Sequence, residues 1–271
     1  MVDRKTLIIK VGDFAQLPPV DKGEEAGGST FCFDAAAFKE GDFKTVQLTE
    51  IFRTNEPEFM ELLHRARFGK LGPDDVDRLK RRITQDVPET VPENRLIHSN
   101  KQVPRLFPLR KTVEQFNQTR LDLLQNKTGL VSFTSQRVLM PDTKEAIEMA
   151  DSMGFEETVV LIKGAMVMLT INLNPTDGWV NGTTCIVHEL STDRRTVVLE
   201  RISDKRRTVV PKMVKPLELD TVEGSVEQFP LRLAWAITIH KSQGATLESV
   251  AVDVGKNVFS HGQVDLECAR L

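Results

Sequence analysis

One stretch constrains this chain more than any other: PLRLAWAITIHKSQGATLESVAV, from Pro230 to Val252. Leu233-Ala234-Trp235-Ala236-Ile237 is an apolar run of strand length and reads as a buried strand. It stops in a polar knot, Thr238-Ile239-His240-Lys241-Ser242-Gln243-Gly244, with Thr246 just beyond. Val250-Ala251-Val252 then predicts a second strand. In an open α/β sheet, ligands collect in the loops after the carboxyl ends of strands. This loop offers a cation (Lys241), a titratable ring (His240), hydroxyls and a glycine. Such groups grip phosphate oxygens. The plainer reading is a solvated turn between two core strands.

A related arrangement opens the chain. Thr6 to Val11 reads as a buried strand, Gly12-Asp13 ends it, and Phe14-Ala15-Gln16-Leu17-Pro18-Pro19-Val20 follows as a rigid loop. Asp13 and Gln16 would then sit at the strand's carboxyl end. A neutral Gln can hydrogen-bond a γ-phosphate or an attacking water without adding negative charge. The paired prolines stiffen the loop that carries it. Phe31 to Phe33 alternates briefly, and Asp34 to Phe38 suggests a short helix capped by the Asp. Phe43 to Leu48 predicts a strand leading to Thr49-Glu50-Ile51-Phe52-Arg53.

Charge does not advertise a partner. The formal net charge is -3 over 271 residues, so any nucleic-acid surface must be a local basic strip. Tyrosine is absent, which leaves stacking to Phe, Trp or His. The three cysteines, Cys32, Cys185 and Cys268, form no CxxC or Cys/His cluster. A zinc site or a disulfide framework is therefore not expected, and a reducing intracellular compartment fits. No apolar run approaches membrane-spanning length.

Between these landmarks, Phe59, Leu62, Leu63 and Ala66 recur at helical spacing, and Pro73 opens a second helix through Val76, Leu79 and Ile83. Gln85 to Glu93, with two prolines, reads as a linker. Asn94 to His98 predicts a strand, followed by Ser99-Asn100. Pro104 to Thr112 reads as an insertion, a translated non-coding stretch that interrupts a helix, because its prolines do not continue one. Lys127 to Phe155 reads as a mixed excursion, with Met140 to Met153 an exposed helix or flexible connection. From Val159 the period becomes that of strands: Leu161–Leu169, Thr184–Leu190, Arg195–Ile202 and Arg207–Val210. Short strands joined by tight turns suggest a small barrel, and Lys205-Arg206-Arg207 reads as its solvated hairpin tip or as a DNA-facing basic turn.

TIHKSQGATL resembles motif V of the Pif-one (Pif/RecD-like) DNA helicases of superfamily one B, and VGDFAQLPPV resembles their motif III. LTEIFRT is similar to motif IV, KGAMVML…N…WVNGT to the SH3-like domain 2B, and Arg270 in the closing segment to the arginine of motif VI. The resemblance implies an α/β fold: a remnant of a first RecA-like domain over 1–93, then a second RecA-like domain of P-loop NTPase type over 94–162 and 229–271. An SH3-like β-barrel would be inserted at 163–228. It implies ATP-dependent five-prime-to-three-prime unwinding of DNA, in repair, recombination, telomere or transposon maintenance. The cofactors would be ATP and Mg2+, and the partners single-stranded DNA or single-strand/duplex junctions, with no membrane. A eukaryotic member would act in nucleus or mitochondrion. On this template Gln16, Arg53 and Arg270 are catalytic, and Asp13, Gln243 and Gly244 bind nucleotide. Asn100, Thr238, His240, Lys241, Ser242 and Thr246 hold the strand, and no metal ligand is assigned.

A phosphoryl-transfer motor also needs a backbone phosphate cradle with its Lys and Ser/Thr. The chain has no GxxxxGK[ST] sequence and no strand ending in Asp-Glu. The family places both before motif III, so the expected chain is a helicase portion that is inactive alone and could pair with a missing N-terminal part. Leu7 to Ile9 would then lack parallel neighbours and leave an apolar edge exposed, with residues 1–90 poorly soluble or partly molten. The alternatives are a non-catalytic single-stranded DNA-binding remnant and the product of a decayed transposon-type helicase gene.

Overall fold

The computed structural model describes residues 7–14, 32–48, 57–82, 103–219, 223–243, 245, 247 and 250–252. These fall in two units, one holding the described residues up to Arg82 and the other those from Val103 onward.

In the first unit, helix α1 is Ala36–Glu40, α2 is Pro57–Arg67 and α3 is Pro73–Arg82. Prolines at the first position of α2 and α3 suit φ and cost no hydrogen bond there. The α1 cap falls on Ala35, not Asp34, and makes no side-chain hydrogen bond. The strands expected over residues 6–11 and 43–48 are not formed in the described residues. A strand exists through pairing, and no described segment of this unit pairs with them. Leu7 is 82% exposed, Val11 88% and Leu48 83%, so these apolar side chains are exposed without a strand to carry them. Of the unit's described apolar side chains only Leu62 is buried.

What joins α2 to α3 is polar. Arg65 donates to both carboxylate oxygens of Asp75, from Nε (2.8 Å) and Nη2 (2.7 Å). The Gly72 N–H also donates to Asp75 (3.0 Å), closing the first turn of α3 from its third residue. The Arg65 guanidinium and this N–H hold the Asp75 carboxyl down at about 2, against an ordinary 3.8. A depressed folded pKa gives stability that is complete above 3.8 and is lost as pH falls toward about 2. Circular dichroism of an acid titration is expected to show this helix pair loosening across that window, with Asp75→Asn removing that part of the acid dependence.

The second unit has a parallel sheet of three strands: β1 (Arg105–Phe107), β12 (Ala236–Thr238) and β13 (Ala251–Val252), in the order β12-β1-β13. Leu106 lies opposite both Ile237 and Val252, and its side chain is fully buried. This corrects the reading of Pro104–Thr112 as an insertion. The two prolines bracket a central strand, and Pro104 still takes part through its carbonyl, which accepts from the Ala251 N–H (2.9 Å). Helix α4 (Arg110–Thr128) follows at once and packs on β12 and β1. It ends at Gly129, whose φ of 66° lets its N–H return to the Gln125 carbonyl (2.8 Å).

The remaining strands are β2 (Phe133–Gln136), β3 (Val138–Met140), β4 (Thr158–Leu161), β5 (Met166–Leu169), β6 (Thr184–Leu190), β7 (Thr196–Arg201), β8 (Arg207–Pro211), β9 (Met213–Glu218), β10 (Glu223–Gln228) and β11 (Leu231–Leu233). They form three antiparallel sheets, β11-β5-β6-β7-β8, β3-β10-β9 and β2-β4. The expected closed SH3-like barrel is not seen among the described residues. Its strands are shared among sheets that recruit β3 and β11 from either side of 163–228. The expected single strand Leu161–Leu169 is two, divided at Gly164, whose φ is 90°. Helix α5 (Lys144–Ser152) is capped by Thr143, which accepts from the Ala146 N–H (3.3 Å). It is no loose connection: Ala146 and Ala150 are buried with Phe155, Leu217 and Val226 in one cluster. The basic hairpin tip pairs with acids, Arg206 with Asp204 and Arg207 with Glu200. That supports the solvated reading of this turn. Buried Arg201 instead clamps the preceding turn through the Asp177 and Gly178 carbonyls (3.0 Å each) and stacks on Trp179.

Candidate nucleic-acid interface

The polar knot sits at the carboxyl end of β12. Its first four residues after the strand form a single helical turn, α6 (Ile239–Ser242). Thr238 caps the turn, its hydroxyl oxygen accepting from the Lys241 N–H (3.2 Å). Ser242 is fully buried, and its hydroxyl donates to the Ile239 carbonyl (2.7 Å). Two of the expected strand-holding hydroxyls therefore serve the turn itself. His240 is half-buried, whereas Lys241 and Gln243 are exposed. The Lys241 ammonium meets Glu156, at 2.6 and 2.8 Å from the two carboxylate oxygens. In the other unit, Asp13 is ion-paired with Arg67 of α2. Gln16, Arg53, Asn100, Gly244, Thr246 and Arg270 lie outside the described residues.

Three residues not singled out in the sequence position this turn. Buried Asn117 of α4 donates from Nδ2 to the Ala236 carbonyl (2.9 Å) and accepts at Oδ1 from the Ala236 N–H (2.9 Å). Ala236 turns these groups away from β1, toward the side where no described strand pairs with β12. The amide thus stands in for a missing neighbour strand, two residues before Thr238. Gln228 is fully buried between sheets. Its Oε1 accepts from the Ser135 hydroxyl (2.7 Å) and the Phe229 N–H (2.9 Å), and its Nε2 donates to the Ser135 (3.0 Å) and Glu156 (3.3 Å) carbonyls. Arg232 lies 3.2 Å from the Glu156 carboxylate, while its Nε and Nη1 are buried with no hydrogen-bond partner. Burial holds its guanidinium below the usual range, and Glu156 opposes that shift.

A parallel sheet with a helix packed on it and a tight polar turn at the carboxyl end of β12 defines the class: an α/β protein. No family model matches the chain. It is 31% identical over 97% of its length to the ATP-dependent DNA helicase Pif1 of Bdellovibrio bacteriovorus, covering 55% of that protein. It is 30% identical to human PIF1, again over 97% of its own length and over 38% of that protein. A crystal structure of Bacteroides sp. Pif1 in complex with ADP-AlF4 matches 96% of this chain and 58% of that one, at TM-score 0.73 and 28% identity. Over nearly its whole length the chain resembles these Pif1 helicases in sequence and in fold, and it spans about half the length of the first of these relatives.

Proposed function

We propose that this chain supplies the strand-gripping part of an ATP-dependent, five-prime-to-three-prime DNA helicase of the Pif1 type. The observation that carries the reading is the α6 turn, with Lys241 and Gln243 exposed at the end of a buried parallel strand. Bacteroides Pif1 has been solved bound to single-stranded DNA, which supports single strands and their junctions with duplex as the substrate class. His240, Lys241, Asn100 and Thr246 are assigned to the sugar-phosphate backbone. Thr238 and Ser242 shape the turn that presents these groups. Gln16, Arg53 and Arg270 are assigned to catalysis on ATP, and Asp13, Gln243 and Gly244 to nucleotide binding. Because the grip is on phosphates, binding is sequence-tolerant and weakened by salt.

The described residues do not make a magnesium-nucleotide site by themselves. The sequence has no GxxxxGK[ST], and among the described residues no group of three His, Cys, Asp or Glu could hold a metal ion. No phosphoryl-transfer step is derived from them. That same observation favours a second reading, single-strand binding without turnover by these 271 residues.

Fluorescence anisotropy with labelled oligo(dT) over a salt series tests the grip. Binding is expected at low salt, and Lys241→Ala is expected to flatten the log-log salt slope by about 0.7, the loss of one phosphate contact on a single strand. No binding at low salt, or a slope indifferent to Lys241→Ala, overturns it. ATP hydrolysis with DNA present separates the two readings: turnover abolished by Gln16→Ala supports the motor, and binding without turnover supports the second.

A further inference from the structure

Lys241 is the exposed cation of the proposed grip, yet it is engaged. Its partner, Glu156, lies 85 residues earlier in the chain, just before β4, and offers both carboxylate oxygens to the ammonium. Two anionic oxygens on one centre are also what a phosphodiester presents.

Glu156 is itself held from two sides. Gln228 fixes its backbone carbonyl (3.3 Å), and Arg232 pairs with its carboxylate (3.2 Å). Arg232 has no other hydrogen-bond partner for its buried Nε and Nη1, so Glu156 provides the counter-charge of a largely buried guanidinium. Arg110, bonded to Glu114 (2.7 Å), also feels the Glu156 charge. The carboxylate is therefore tied to the framework, while Lys241 reaches it on a flexible four-carbon stem. With Lys241 about half exposed, the ion pair between them is weak and easily exchanged.

We infer that Glu156 is a built-in stand-in for a nucleic-acid phosphate: it occupies Lys241 when no strand is bound and yields the ammonium to a phosphodiester when one arrives. The exchange moves Lys241 alone, because Arg232 keeps Glu156 in place. The inference rests on the proposed single-strand grip and adds to it a resident competitor. Glu156 lowers affinity for any single strand and keeps Lys241 from retaining phosphate indiscriminately.

The test is oligo(dT) binding by the full chain as wild type, Glu156→Gln, Lys241→Ala and the double variant. Gln keeps the shape and can still accept from Arg232. Glu156→Gln is expected to bind about two- to five-fold more tightly at low salt, the worth of one exposed ion pair. In the Lys241→Ala background the same change is expected to give less than half that gain, since the exchange runs through Lys241. Should Glu156→Gln melt out by circular dichroism, Glu156→Asp keeps a negative charge for the buried Arg232 while drawing it back from Lys241 by one methylene, at the cost of a longer reach to Arg232 as well. It is expected to shift affinity in the same direction. Wild-type binding that Glu156→Gln leaves equal or weakens overturns the inference while the grip stands. A gain that persists in full without Lys241 overturns it as well. Absence of binding in every variant overturns both, and binding gained only on Glu156→Gln supports both.

Discussion

Replacing Gln228 by Leu is expected to be the most damaging single change in the second unit. Leu fills nearly the same space, so packing changes little and the loss is one of hydrogen bonds. The Phe229 N–H, the Ser135 hydroxyl, and the Ser135 and Glu156 carbonyls each lose a partner. A buried polar group left without a partner costs about 1–3 kcal/mol, and some of these four retain partial alternatives, so the expected loss is about 4 kcal/mol. For a unit of this size that lowers the melting temperature by roughly 8–16 °C. Differential scanning calorimetry measures it. A shift of a degree or two would mean that the amide is not the clamp between β2 and the β10–β11 crossover. The change should also reach the site, because the same amide holds the backbone of Glu156. A variant that still folds is expected to show single-strand binding altered in the direction of Glu156→Gln.

Asn117→Leu is the second large effect. It leaves the N–H and C=O of Ala236 unpaired on the open side of β12, at a cost of about 3 kcal/mol. Asn117→Asp separates this from a packing effect. The carboxylate keeps the size and the acceptor, but it turns an oxygen toward the Ala236 carbonyl in place of a donor. At neutral pH it is expected to fall at least as far as Leu. Chemical denaturation of the three proteins gives the comparison, and an Asp variant as stable as the parent would refute the donor role. Because Ala236 precedes Thr238 by two residues, both substitutions are expected to weaken oligo(dT) binding before the fold is lost.

What the sequence disclosed follows a physical pattern. The strand leading into the HKSQG turn was legible because its apolar run stops abruptly at polar residues. That the run from Leu231 to Ile237 divides between two sheets, with β11 in one and β12 in the other, was not. Apolar character says a residue is buried and nothing about which strand it pairs with. Pro104 and Pro108 pointed to a broken helix, whereas they flank a strand, and only its neighbours β12 and β13 reveal this. Gln228 closes a polar-looking segment, EGSVEQ, and its complete burial comes from distant layers. Glu156 lies too far along the chain from Lys241 for spacing to connect them. Exposure of Leu7 to Val11 was foreseeable, since the chain supplies no companion strand of the expected kind among its described residues.

The two residues between β11 and β12 have a mechanical consequence. The Ala234 N–H donates to the Met166 carbonyl (2.9 Å) in the antiparallel sheet, and the Trp235 carbonyl accepts from the Arg105 N–H (3.0 Å) in the parallel one. Tension applied at Lys241 therefore passes down three residues of extended backbone into both layers at once. The backbone of the turn and the two sheets behind it are thus joined by one short hydrogen-bonded path.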